Sequence, residues 1–197
     1  MKLQEAYDIL SSLVGDIINV ENEKKGNKGK YGHAIEKLLH LNLGSHARDF
    51  EDGELKTCAA FNGKMRDDFK ICKVWDKEYA EKKLENLLVL IYDYKTAEIL
   101  AVKQFSILKH PIVRKQFDKD LSYLLAQPDI NLVSQKDTDV FVAKTNGSGK
   151  KAINERALYI ARAPASYLFE LVYSGTKGKT FVEEMKEYEQ TETRCAP

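Results

Sequence analysis

Asp49-Phe50-Glu51-Asp52-Gly53-Glu54-Leu55-Lys56-Thr57-Cys58-Ala59-Ala60-Phe61-Asn62-Gly63 is the stretch on which the reading of this chain turns. Residues 53–61 have the composition of a β-strand, and Asn62-Gly63 is a strong signal for a two-residue hairpin turn. In a strand, positions i and i+2 share a face. Glu54 and Lys56 therefore point one way while Leu55 points into the core. Asp49 precedes the pair at short range, and Gly53 is read as the residue that lets the backbone turn sharply between them. Glu36 adds a third acid from just upstream. Two carboxylates about 4 Å apart repel by roughly 4 kcal/mol at an effective dielectric near 20. A bound cation removes that cost, so carboxylates gathered around one lysine form a candidate Mg2+ site.

Outward from this stretch, the pattern alternates helix and strand. Residues 2–20 read as an amphipathic helix with Leu3, Ala6, Leu10, Leu13, Val14 and Ile17 on one stripe. Residues 21–30 read as a basic loop. Residues 31–43 read as a second helix that carries Glu36 beside its apolar face. A partner strand is expected over 64–75, a lysine-rich helix over 77–86 and a buried central strand over 87–92, where the run is continuously apolar. Another strand is expected over 98–107, then a helix from Pro111 to Gln127 with proline at its first position. Short strands follow over 140–144 and 156–160, separated by a glycine-containing basic loop over 145–151. A helix over about 164–174 and a charged one over 179–189 complete the chain. The expected fold class is α/β or α+β, with a central mixed β-sheet flanked by helices. One domain over 1–197 is expected, with two lobes, about 1–105 and about 106–197.

Composition narrows the class further. Of 197 residues, 43% are hydrophobic, enough for a sizeable core. The net charge of +1 conceals alternating basic and acidic blocks, so nucleic-acid contact has to come from local patches. No run approaches the ~20 apolar residues of a membrane span, and the first twenty residues are interrupted by Glu5, Asp8 and Asp16, unlike a signal peptide. Cys58, Cys72 and Cys195 match no zinc-binding spacing. A cytoplasmic setting with free thiols, and no membrane, is expected. His33, His40, His46 and His110 are not clustered in the sequence and are not read as metal ligands.

An acid-x-lysine pair is by itself common in so charged a chain. Asp68-Phe69-Lys70 is the nearest competitor, and Asp93-Tyr94-Lys95 is another. The order of the surrounding residues favours Glu54. The series Gly32-x-x-Ile35-Glu36, then Asp49-Phe50, then Gly53-Glu54-Leu55-Lys56-Thr57 resembles the MutH family of mismatch-repair and GATC-cleaving restriction endonucleases, which share the PD-(D/E)XK nuclease fold. Lys83-Leu84 before the apolar strand at 87–92 is similar to a lysine-leucine pair of that family whose lysine belongs to the active site. The run Arg156-Ala157-Leu158-Tyr159-Ile160-Ala161-Arg162 resembles the family segment whose tyrosine lies near the recognised bases. The similarity spans about residues 26 to 170. Unlike the mismatch-repair enzyme, this chain has a shorter stretch between Asp49 and Glu54, and the segment after Thr57 lacks its Ile-Pro-Val.

The resemblance implies a restriction-endonuclease-like sheet, with the catalytic side in the first lobe and DNA recognition in the second. It implies a Mg2+-dependent, sequence-specific DNA endonuclease, with Mn2+ able to substitute. Asp49 and Glu54 would hold the metal and Glu36 would complete its shell. Lys56 would hold or deprotonate the attacking water, and Lys83 would approach the same phosphate. Double-stranded DNA would be contacted through Lys28, Lys30, Lys144, Asn146, Ser148, Lys150, Lys151, Arg156, Tyr159 and Arg162, with residues 177–179 as a further basic segment. For Tyr159, a core role within its strand is an open alternative. The expected class is a type II restriction enzyme, acting at GATC and as a homodimer on DNA. The alternatives are a repair-type nicking enzyme recruited by a protein partner and a DNA-binding module without catalysis.

Overall fold

The apolar run at 87–92 becomes the inner strand of a four-stranded sheet, as its composition requires. A computed structural model describes residues 1–20, 29–41, 49–72, 76–129, 133–145 and 156–195. In chain order these form α1 (Leu3–Ser11), α2 (Lys30–Leu38), β1 (Glu54–Phe61), β2 (Lys64–Met65), β3 (Phe69–Cys72), α3 (Lys77–Glu85), β4 (Leu87–Asp93) and β5 (Ile99–Phe105). A short 3-10 turn (Ile107–Lys109), α4 (Pro111–Leu125), β6 (Phe141–Thr145), β7 (Arg156–Ile160), α5 (Arg162–Leu168) and α6 (Lys179–Cys195) follow. The fold is mixed α+β. The first sheet runs β2-β1-β4-β5, and a second, three-stranded sheet runs β3-β7-β6.

β1 and β4 are parallel, with Glu54 beside Leu87 and Lys56 beside Val89. A parallel pair needs a crossover, and α3 supplies it. Both faces of the first sheet are covered, which is why every residue from 87 to 92 is buried. On one face Leu55, Leu88 and Leu90 pack with α1 and α2 through Leu3, Ala6, Leu10 and Ile35. On the other, Cys58, Val89 and Ile91 pack with Leu84 of α3, Phe117 of α4 and Phe141 and Leu158 of the second sheet. Glu54 and Lys56 alternate with Leu55 and so lie on this second face, at the N-terminal end of β1. No helix among the described residues is long and apolar enough to cross a membrane.

Several boundaries differ from the sequence-based expectation, each for a visible reason. Asn62 and Gly63 have φ of 51° and 73°, the pair of positive values a two-residue I′ turn demands. The returning strand pairs with β1 only at Lys64 and Met65. The chain then leaves for the other sheet, where Phe69 faces Ile160 and Lys70 faces Tyr159. Within 64–72 the expected strand is thus two strands in two sheets, and its remainder, 73–75, lies outside the described residues. The helix expected over 2–20 stops at Ser11. Gly15 turns the chain at φ 97°, its N–H donates to Ile99 O, and Ile18 N–H donates to Ala97 O, which lays residues 15–18 along the edge of β5. Val14 and Ile17 are consequently exposed rather than part of the buried stripe. The second helix ends at Leu38, followed by His40 at φ 54°, and Leu43 lies outside the described residues. α5 begins at Arg162 with Pro164 in its first turn, where proline is tolerated. α6 runs on to Cys195.

Gly53 proves necessary for space rather than for a turn. Its φ is not in the left-handed region. A Cβ there would sit 2.3 Å from Leu3 Cδ1 and 2.8 Å from the backbone oxygen of Asn86. The absence of a side chain lets Glu54 N–H reach Asn86 O at 2.9 Å, which fixes the start of the strand that carries the site.

Candidate active site

Glu54 is only 2% exposed although its side chain is ionisable. Burial of a carboxylate is tolerated when it is paired and hydrogen-bonded, and here both oxygens have cationic partners. Lys56, two residues along the same strand face, donates to Oε1. Lys83, from α3, donates to Oε2 at 2.6 Å and is itself 6% exposed. The solvated helix face open to a lysine in a charged helix is therefore not where Lys83 lies. α3 is held in place at its start by Asp76, whose side chain caps the N–H of Tyr79 at 2.8 Å. The apolar residues Ala80 and Leu84 turn the same side of the helix to the core.

Asp49 reaches the same place from the approach to β1. Its Oδ2 accepts from Leu55 N–H at 2.9 Å, which aims the carboxylate along the strand end. Glu36, on α2, feels these groups electrostatically. Burial first, and then the charge of Asp49, push its carboxyl above the ordinary value, and Glu54 adds to this while His33 and Lys56 oppose it. The five residues Glu36, Asp49, Glu54, Lys56 and Lys83 are thus gathered from two helices, one strand and its approach.

The raised carboxyl of Glu36 has a consequence for stability. A folded-state pKa above the unfolded one means that the native protein binds this proton more tightly. Stability is then lost as pH rises from the ordinary value of 4.5 through the raised one. Glu36→Gln is expected to melt at a higher temperature than the wild type at pH 7 without divalent cations, and the advantage should shrink toward zero below pH 4.5. Melting curves across this range check it; identical curves at pH 7 would remove Glu36 from the shared field.

The oxygens that could hold a cation belong to Asp49 and Glu54, with Glu36 at the margin. The donor chemistry suits a hard cation, since Mg2+ takes oxygen ligands and keeps several waters beside one or two carboxylates. Among the described residues no group of three or more His, Cys, Asp or Glu side chains is placed to hold a metal ion, so Glu36 is not drawn in with Asp49 and Glu54 as a third ligand. The Cys58 thiol is pushed up to about 12 by burial, which leaves it inert rather than a nucleophile.

The chain matches no protein-family model and no curated protein.

The second group of candidate residues lies on the other sheet, around Asp68. Lys144 of β6 donates to Asp68 Oδ2 at 2.5 Å, and Arg162 N–H at the start of α5 donates to Oδ1 at 2.7 Å. The Lys144 ammonium is 5.6 Å from the centre of the Tyr159 ring, and Tyr159 is half-buried in β7 opposite Val142 and Lys70. Asp68 is thereby committed to a brace between β3, β6 and α5. This sets Asp68-x-Lys70 apart from the Glu54 cluster. Arg156 opens β7 opposite Thr145, and Lys30 opens α2. Lys28, Asn146, Ser148, Lys150 and Lys151 lie outside the described residues. Lys177 is occupied differently from the expectation, because its ammonium donates to the backbone oxygens of Gln135, at 2.7 Å, and Thr138.

Tyr79 was missed from the sequence. Its ring centre is 5.6 Å from the Lys83 ammonium. Its hydroxyl is pushed above the ordinary value by burial first and then by Glu54, with Asp49 adding to the effect. The signal was available, since Tyr79 and Lys83 are i and i+4 on one helix and share a face.

Proposed function

We propose that the protein is a Mg2+-dependent, sequence-specific DNA endonuclease of MutH type, a type II restriction enzyme with GATC as its expected site. The observation that carries this reading is the buried Glu54 carboxylate, with Lys56 and Lys83 at its two oxygens and Asp49 beside it. When bound, Mg2+ would polarise the scissile phosphate and acidify a water, with Mn2+ as a substitute. Asp49 and Glu54 would supply the oxygens that hold it, and Glu36 would add negative charge at the margin. Lys56 positions the water and stabilises negative charge that develops on the phosphate. Lys83 approaches that phosphate from α3.

Backbone phosphates of double-stranded DNA would lie along the second sheet. A groove of about 570 Å³ there is lined by Arg66, Lys136, Lys144 and Arg162, together with Asp67 and Asp68. Neutralisation of phosphates by these cations makes binding fall steeply with salt. Tyr159, half-buried beside Lys144, is proposed to approach base edges. Cys58 and Cys72 are buried and in no disulfide, and a cytoplasmic location is part of the proposal.

The deciding experiment incubates purified protein with unmethylated plasmid and Mg2+, then sequences any ends produced. Linear products with one recurring end sequence support a restriction enzyme cutting as a homodimer. Nicked circles alone point to a repair-type enzyme that needs a protein partner. Supercoiled DNA left intact across metals and methylation states, with DNA still bound, leaves a recognition module without catalysis.

A further inference from the structure

Lysine is rarely buried, and when it is, it is paired. Lys83 is 6% exposed, its ammonium lies 2.6 Å from Glu54 Oε2, and Glu54 is 2% exposed. Lys56 takes the other oxygen. A carboxylate at this depth requires compensating charge. The two lysines differ in how they are held. Lys56 is two residues from Glu54 on one strand face and stays near it in any state of the site. Lys83 arrives from another element on a flexible four-carbon stem, and its ammonium, while on Glu54, already lies 5.6 Å from the Tyr79 ring centre, within cation–π reach. A divalent ion on Glu54 Oε2 and an ammonium at 2.6 Å from the same atom are like charges competing for one position.

Building on the nuclease reading, we propose that Lys83 is an internal cation that occupies Glu54 Oε2 in the metal-free protein and leaves it when a divalent ion binds. The freed ammonium then faces the DNA phosphate from its place against Tyr79. Loss of metal would return Lys83 to Glu54, so that both carboxylate oxygens again have a cationic partner.

The test measures Mn2+ binding by the loss of the free-ion electron paramagnetic resonance signal, for wild type and Lys83→Met. Without the competing ammonium, K83M is expected to bind Mn2+ at least ~10-fold tighter, to melt below the wild type in the absence of metal, and to gain more stability from saturating Mn2+. Wild-type affinity or weaker in folded K83M overturns the proposal. A second measurement needs only the wild type: reductive methylation with and without saturating Mn2+, read by peptide mass spectrometry. Lys83 should be protected without metal and become modified several-fold faster with it, while Lys82, already exposed on the same helix, keeps its rate. Equal protection of Lys83 in both states overturns the proposal even where K83M fails to fold. Absence of Mn2+ binding to either protein overturns both this proposal and the metal-dependent nuclease reading, and is thereby distinct from binding that is equal in the two.

Discussion

Lys56→Ala is expected to lower DNA cleavage by at least about 10²–10³-fold, the scale seen when one preorganised group that stabilises transition-state charge is removed. The fold should survive the change. Lys56 is partly exposed, and Glu54 keeps Lys83 as its buried partner. DNA affinity, measured by fluorescence anisotropy with Ca2+ in place of Mg2+, should stay within a few fold of the wild type, because the cations proposed to meet the phosphate backbone line the groove around Asp68. Lys56→Arg should not restore the rate. A planar guanidinium cannot occupy the compact position of an ammonium beside Glu54 Oε1. Cleavage by Lys56→Ala at the wild-type rate would overturn the assignment. The remaining acid-x-lysine pair on a strand of the second sheet, Asp68-x-Lys70, would then need testing, although Asp68 is held by Lys144 and Arg162.

Asp120→Ala is expected to destabilise the protein by about 3–5 kcal/mol, within the range for leaving two buried N–H donors without their acceptor. Asp120 is 2% exposed in the middle of α4. Its Oδ2 accepts from Val140 N–H at 3.0 Å and Phe141 N–H at 2.9 Å, and its Oδ1 accepts from the Gln116 side chain at 2.9 Å. The carboxylate thus ties α4 to the first residues of β6. Alanine leaves these buried N–H groups without acceptors, and each such loss costs about 1–3 kcal/mol. For a chain of this size the melting temperature should drop by roughly 6–20 °C. Lys119→Ala is the matched control, since Lys119 lies next to Asp120 but forms only an exposed pair with Asp139 at 3.8 Å, a contact worth about 0–1 kcal/mol. A melting curve for Asp120→Ala that overlays that of Lys119→Ala would show that the tie contributes nothing.

The parts of this molecule that were legible in the sequence are those governed by local periodicity. β1, the Asn62-Gly63 turn, α3, β4, α4 and β7 fall where the pattern of apolar residues, glycine and proline puts them. Glu54 and Lys56 share a strand face for the same reason. The errors lie where tertiary pairing outcompetes a local pattern. Leu13, Val14 and Ile17 continue the helical stripe of α1, yet backbone hydrogen bonds to β5 draw residues 15–18 onto the sheet edge instead. Residues 64–75 read as one strand, yet Asp68 is braced by Lys144 and Arg162, and the described part, 64–72, divides between two sheets. Gly53 was identified as special, but for a turn; its actual constraint is contact with Leu3 and Asn86, which no local pattern encodes.

The sequence by itself determined that residues 87–92 form a buried strand and that the strand beginning at Glu54 carries an acid and a lysine on one face, because alternation along a strand is a property of consecutive residues. Only the tertiary structure decided that Lys83 closes the second oxygen of Glu54, that Tyr79 stands beside it, and that Asp68 belongs to another cluster. Those outcomes depend on how α3 and the second sheet pack across the core, and on which buried charges must find partners there. The demand for compensation is set by burial, and burial arises only when elements distant in sequence close over the same carboxylate.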